Sequence, residues 1–324
     1  MPSLKTEISE LSVALGLLGV PLGKAVPRQD IASAIIGVTH KDHHGHLGAK
    51  LNQYLQCLWG STCPKNLSVA QVRALWEAGR DLGQRLGPMA QQVVWSGPTR
   101  SAPGVVIPRD IQVGATFVSV KVESNVMYNL SPFVLFRDFF SDGVVGSARR
   151  KLNWFQEVDP DLYHQAEAAY KQDKNTPLRI ELFRSVAKKS AQLFNDQWAE
   201  ASTDKTRFKK LLTNAAKFFL RINNAPYYLV ALEGDKGVVA FVPDITTFLG
   251  KWQPLEVEAV PDEEAKQSKV RFCVRLRSGE REKNFRFHAE IRWSHGQFNG
   301  APEVKIYKNF LYTDLIQSEV YYAP

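Results

Sequence analysis

The chain has 324 residues, 44% of them hydrophobic and 23% charged, which is the make-up of a globular protein able to bury a core without a disulfide or metal framework. Lysine and arginine exceed aspartate and glutamate by 41 to 33, a net charge of +8, and this surplus favours a polyanion as partner because each neutralised phosphate releases condensed counterions. The three cysteines (Cys57, Cys63 and Cys273) are too sparse for a disulfide framework and lack the CxxC spacing of a zinc site. No apolar run reaches the ~18 residues of a membrane span, and the opening segment has no basic stretch leading into an apolar run. The expectation is a cytoplasmic protein with no membrane partner.

Residues 1 to about 95 read as helical. Leu11, Ala14, Leu15 and Leu18 recur at helical spacing, as do Leu47, Leu51, Leu55 and Leu58. Ser68 is placed to cap a helix through Val72, Leu75, Ala78 and Leu82, with Gln71 completing a capping box. The run THKDHHGHLG holds His40, His43, His44 and His46. It reads as a polar loop rather than a metal site, because no separated second ligand pair accompanies it.

A Gly-, Pro- and Ser-rich loop at 96–104 precedes a change of period. Ile111 and Val113 lead through Gly114-Ala115 into Val118, Val120 and Val122, which alternate with Ser119, Lys121 and Glu123; this predicts a tight hairpin. Residues 149–222 return to helix, on the stripes Leu178, Leu182, Phe183, Val186 and Leu211, Leu212, Ala215, Phe218, Phe219. From Ala225 onward the chain is mostly short strands. The predicted fold class is α/β (α+β), a mixed sheet flanked by helices with a β-rich C-terminal part. The expected division is 1–224 and 225–324.

Chemistry is suggested most strongly at 108–124. Strand side chains alternate, so Ser119, Lys121 and Glu123 share one face, and Asp110 lies near it across the hairpin. Carboxylate oxygens are the ligands that a hard cation such as Mg²⁺ takes, and a lysine beside the metal can orient water or offset charge on a phosphorane. Nucleophile elbows, P-loops and dinucleotide fingerprints are absent, which disfavours serine hydrolase, NTPase and dehydrogenase chemistry.

The order Pro108-Arg109-Asp110, eight residues, then Ser119-Val120-Lys121 resembles the signature of the PD-(D/E)XK nuclease superfamily, which includes many restriction endonucleases. The resemblance covers about seventeen residues and departs twice: Arg109 separates the Pro from the Asp, and Ser119 stands where the family has an acid. It implies a restriction-endonuclease-like core, Asp110 as a Mg²⁺ ligand, Lys121 as the catalytic lysine, and a magnesium-dependent endonuclease that cuts double-stranded DNA in a restriction or other defence system. It also implies a homodimer, with one site for each strand. The missing carboxylate is expected from Glu123, or from Glu77 as a helical glutamate. Glu290, Glu303 and Lys305 form a rival constellation with literal E-x-K spacing. Pro243-Asp244 is read as a turn.

Two basic elements are candidates for the nucleic acid. One is a β-ribbon carrying Arg271, Arg275 and Arg277 on one strand and Arg286 and Arg292 on the next, a face that can track phosphates or pair with guanine. The other is the helix holding Lys209 and Lys210, with Arg149, Arg150 and Asn125 nearer the hairpin. The alternative readings are a non-catalytic DNA-binding protein and an RNA-directed nuclease or toxin that meets single strands through Trp293, Tyr307 and Tyr312.

Overall fold

A computed structural model describes residues 4–37, 39–40, 44–60, 62–63, 66–87, 93–96, 110–122, 126–140, 153–222, 224–265, 267–293, 302–310, 314 and 320–322. In chain order the elements are α1 (Leu4–Leu17), α2 (Arg28–Gly37), β1 (Thr39–His40), α3 (His44–Leu58), α4 (Val69–Leu86), β2 (Val93–Trp95), β3 (Ile111–Val113), β4 (Thr116–Val122) and β5 (Val126–Leu130). There follow α5 (Pro132–Phe136), a 3-10 turn at Asp138–Phe140, α6 (Trp154–Val158), α7 (Pro160–Gln172), α8 (Leu178–Ser202), α9 (Lys205–Phe219), β6 (Tyr227–Glu233), β7 (Lys236–Val242) and α10 (Ile245–Lys251). The chain closes with β8 (Gln253–Pro261), β9 (Ser268–Ser278), β10 (Arg281–Trp293), β11 (Pro302–Lys308) and β12 (Val320–Tyr322). The protein is mixed α/β, as its period changes predict.

The elements fall into two compact units, each built from separate stretches of chain. One comprises residues 1–124, 222–244 and 311–324, the other 125–221 and 245–310. The expected boundary near 224 lies close to the crossing at Arg221/Ile222. However, β6 and β7 join the N-terminal stretch, and β5 with the helices 132–219 joins the C-terminal strands. Among the described residues no helix is long and apolar enough to cross a membrane.

The first unit is a seven-stranded mixed sheet in the order β1-β2-β3-β4-β6-β7-β12, with parallel pairs at β1/β2 and β4/β6. Its central helix is α1, in which every residue from Glu7 to Leu17 is buried. A helix buried on all sides needs apolar residues all round, and Ile8, Leu11, Val13, Ala14 and Leu15 supply them. Helix α4 lies against it, capped by Ser68 with Gln71 closing the predicted box. The α1–α4 contact is close because glycines face backbone: Gly79 meets Val13, Gly83 meets Leu17, and Gly16 meets Trp76. The β3–β4 hairpin turns at Gly114, whose φ of +57° suits a two-residue loop that other residues enter with strain.

One expectation about cysteine is corrected here. Cys57 and Cys63 form a disulfide, because the turn that ends α3 brings their Cα atoms to 4.5 Å. Cys273 is a free thiol.

The second unit is a five-stranded antiparallel sheet, β5-β11-β10-β9-β8, with α8 across its apolar face. The alternation read in KVRFCVRLR and FRFHAEIRW holds: Val270, Phe272, Val274, Leu276, Phe285, Phe287, Ala289 and Ile291 are all buried. Phe272 is central to an aromatic core, within 5.1–6.3 Å of the rings of Phe136, Phe194 and Phe219. The β9–β10 turn is tighter than the expected Ser278–Asn284 loop, since Arg281 already pairs with Ser278.

Candidate active site

The hairpin brings Asp110, Ser119 and Lys121 together. The Asp110 backbone is held on both sides: its N–H donates to the Val118 carbonyl (3.1 Å) and its carbonyl accepts from the Ser96 N–H (2.9 Å). Its Oδ2 then accepts from the Ser119 hydroxyl at 2.9 Å and the Val120 N–H at 2.7 Å, with Lys121 Nζ 3.6 Å away. Ser119 is fully buried, while Asp110 and Lys121 remain partly open to solvent. Asp110 is thus oriented entirely through Oδ2; among the described residues no donor reaches Oδ1.

A residue not singled out in the sequence completes the group. Glu10, on α1, is 5% exposed, and its Oε2 accepts from the indole N–H of Trp95 at 2.6 Å. Trp95 lies on β2, opposite Ile111, the residue after Asp110. Burial first, then the charge of Asp110 and, less, that of Glu7, raise the Glu10 carboxyl against the opposing pull of the Trp95 bond and Lys121, to a net value of about 8. Glu10, Asp110 and Lys121 therefore act on one another electrostatically.

A second layer sits one helical turn away. Glu7 is fully buried, and both its oxygens are engaged: Lys50 Nζ lies 2.8 and 2.9 Å from Oε1 and Oε2, and the Tyr54 hydroxyl donates to Oε2 at 2.8 Å. Burial, then the Glu7 carboxylate, drives the Tyr54 phenol far above its ordinary value, so it stays a proton donor. Glu7 is thus engaged at both oxygens, whereas among the described residues only Oε2 of Glu10 has a donor.

The shift of Glu10 has a measurable consequence. Its folded value exceeds the 4.5 of an unperturbed glutamate. The folded state therefore binds a proton that the unfolded chain releases. The associated stability is fully present below pH 4.5 and is lost progressively as pH rises to about 8. Urea unfolding in a chelating buffer is expected to give a lower stability at pH 8 than at pH 6. The difference should shrink in Glu10→Gln, which cannot ionise; an unchanged difference would mean that Glu10 is not the group responsible.

The other candidates are distributed as follows. Glu77 is half-buried on α4 and is not among the charges acting on Glu10. Glu123, Asn125, Arg149, Arg150, His43 and Tyr312 lie outside the described residues. So do the side chains of His40, His44 and His46, although β1 and α3 include their backbones. The described residues contain no group of three or more His, Cys, Asp or Glu arranged to hold a metal.

The predicted basic ribbon is present, but its charge is largely neutralised. Arg271 pairs with Asp262 (2.7 Å), Arg275 with Glu256 (2.6 Å), Arg277 with Glu282 (2.7 Å) and Arg292 with Glu303 (3.0 Å). The arginines of two strands are legible in the sequence, but the carboxylates beside them, from β8, the turn after it, β10 and β11, are not. Arg286 is exposed. In the rival constellation, Glu303 is held by Arg292, while Glu290 lies opposite Lys305 and accepts from Tyr307. Trp293 is 3% exposed and stacked on Phe155 at 4.1 Å, so it offers no face to a base, and Tyr307 is stacked on His288 at 4.6 Å.

No protein-family model, curated protein or solved structure matches the chain.

Proposed function

We propose that this chain is a magnesium-dependent endonuclease of double-stranded DNA whose reaction centre is Glu10, Asp110 and Lys121. The observation that carries the reading is that a buried helical carboxylate, Glu10, absent from the motif in the sequence, lies within electrostatic reach of the hairpin's Asp110 and Lys121 and is held by Trp95 on the strand beside Asp110. The resemblance to PD-(D/E)XK nucleases calls for a second carboxylate, and Glu10 fills that need where Ser119 cannot.

The residues fit a hard cation. Each carboxylate has one oxygen fixed by the protein and one without a protein donor among the described residues: Oε1 of Glu10 and Oδ1 of Asp110. Burial and then the charge of Asp110 raise Glu10, and a divalent cation held by both carboxylates would offset both. Mg²⁺ is commonly held by one or two carboxylates, with waters and substrate phosphate completing its shell. When bound, it would polarise the scissile phosphate and lower the pKa of a water.

The chain's own groups have separable roles. Ser119 and the Val120 N–H orient Asp110, Trp95 orients Glu10, and Lys121 presents a cationic donor beside Asp110, where it offsets negative charge gathering on a phosphate oxygen. The biology expected from the resemblance, restriction or another form of defence, belongs to the same proposal, as does a homodimer.

The test is supercoiled plasmid incubated with wild-type protein in Mg²⁺ and in chelator, with thermal unfolding followed in both. Cutting is expected in Mg²⁺ only. At about tenfold excess over its Kd the metal is also expected to add ~1.4 kcal/mol, a rise of a few degrees. Intact plasmid together with an unmoved melting temperature would remove the enzyme reading and leave the DNA-binding one.

A further inference from the structure

We propose that the exposed face of α9 is a docking surface for the phosphate backbone of duplex DNA, and that it, not the β9–β10 ribbon, carries the polyanion affinity of the second unit. The proposal rests on the nucleic-acid half of the reading above and is independent of the cleavage chemistry.

Helix α9 is strongly two-sided. Leu211, Ala215, Ala216 and Phe219 are buried, whereas Lys205, Lys209 and Lys210 are exposed and Lys217 is half-buried. Its fifteen residues hold five cations and no carboxylate. The nearest acid in sequence, Asp204, caps the helix, its Oδ1 accepting from the N–H groups of Thr206 and Arg207 at 2.8 and 2.9 Å. Arg207 is drawn to Glu200 at 3.0 Å. Among the described residues Lys205, Lys209 and Lys217 have no carboxylate partner. The contrast with the ribbon is direct, since four of its five candidate arginines are ion-paired within the sheet.

Spacing and chemistry narrow the partner. Lys205, Lys209 and Lys217 stand on one i, i+4 row that winds by about 120° over about 18 Å of helix, the length of roughly five base-pair steps. Lysine is a mobile point charge that suits backbone tracking rather than base reading. A protein partner would call for an apolar or aromatic anchor, and none of the exposed large hydrophobics lies on α9. The same lack of an exposed ring disfavours single strands, which stack on aromatics.

The experiment uses the full chain and a fluorescent 20-base-pair duplex in chelator, with binding followed by anisotropy across a salt series. The proteins compared are wild type, the triple variant Lys205→Gln/Lys209→Gln/Lys217→Gln, and the ribbon variant Arg275→Gln/Arg277→Gln. Circular dichroism melting verifies that all three are folded. Loss of three phosphate contacts lowers the salt slope by about 2.7, on the order of a 100-fold loss of affinity at 0.1 M salt. That result, with the ribbon variant close to wild type, supports the proposal. A wild-type slope in the triple variant, an equal loss in the ribbon variant, or tighter binding to single-stranded RNA of the same length overturns it. Cutting of the same duplex in Mg²⁺ is scored separately: binding lost from α9 in a protein that never cuts leaves this proposal standing and removes the nuclease. Cutting by wild type with unaltered binding in the triple variant does the reverse.

Discussion

Lys121→Ala and Glu10→Gln are each expected to reduce metal-dependent cutting about 10³-fold, equivalent to roughly 4 kcal/mol of lost transition-state stabilisation. The two variants remove different things. Lys121→Ala takes away the cation 3.6 Å from Asp110 and leaves both carboxylates, so the response of the melting temperature to Mg²⁺ should persist. Glu10→Gln keeps the shape of the side chain and the Trp95 contact but removes a charge, so both cutting and the Mg²⁺ response should fall. Ser119→Ala should cost far less, on the order of tenfold, because the Val120 N–H still holds Asp110. Glu77→Gln and Glu303→Gln are the contrasts: one side chain is outside the cluster and the other is paired to Arg292, so neither should change the rate. Plasmid-cutting rates and Mg²⁺ titrations of the melting temperature measure all of this. Full activity in Glu10→Gln would remove the proposed centre, and activity lost in Glu303→Gln alone would move it to the second unit.

Gly79→Val is expected to lower stability by about 3 kcal/mol, seen as an earlier urea midpoint at unchanged slope. A Cβ at Gly79 would overlap the carbonyl oxygen of Val13, and backbone has no rotamer by which to yield. Gly16 and Gly83 meet the partner helix in the same way, so α1 and α4 can part only by opening the contact along its length. Glu10 rides on α1, hence the same substitution should also weaken Mg²⁺-dependent cutting. Gly250→Ala provides the opposite sign. That glycine lies in α10 with nothing within 4 Å of an added Cβ, and alanine there is expected to gain ~0.5–1 kcal/mol from helix propensity. A neutral Gly79→Val would mean that the two helices are less closely applied than the glycine row requires.

Much of the local structure was legible because it depends on short-range rules. Ser68 and Gln71 announced a helix start, Gly114 a hairpin, and alternation assigned Phe272 and Phe287 to a core. Asp110 and Lys121 were legible for the same reason, since a two-residue period across a tight turn leaves little freedom in what faces what. Glu10 is not evident as a site residue because the helical pattern there rests on Leu11, Ala14, Leu15 and Leu18. The available signal is Glu7 and Glu10, two carboxylates three residues apart in a helix that carries an apolar run from Val13 to Leu17. The allotment of β6 and β7 was also hidden: YYLVAL and GVVAFV are equally good strands for either sheet, and only their long-range pairing with β4 and β12 decides.

The sequence by itself therefore determined the positions of most helices and strands, the shared face of one hairpin, and a net basic surplus. The tertiary structure decided which carboxylate acts on that hairpin electrostatically and, among the described residues, which cations have no carboxylate partner. Both depend on residues far apart in the chain: Trp95 lies 85 positions from Glu10, and the acids that quench the ribbon come largely from neighbouring strands. Charge read along a chain counts the ions, whereas burial and pairing set what each can bind.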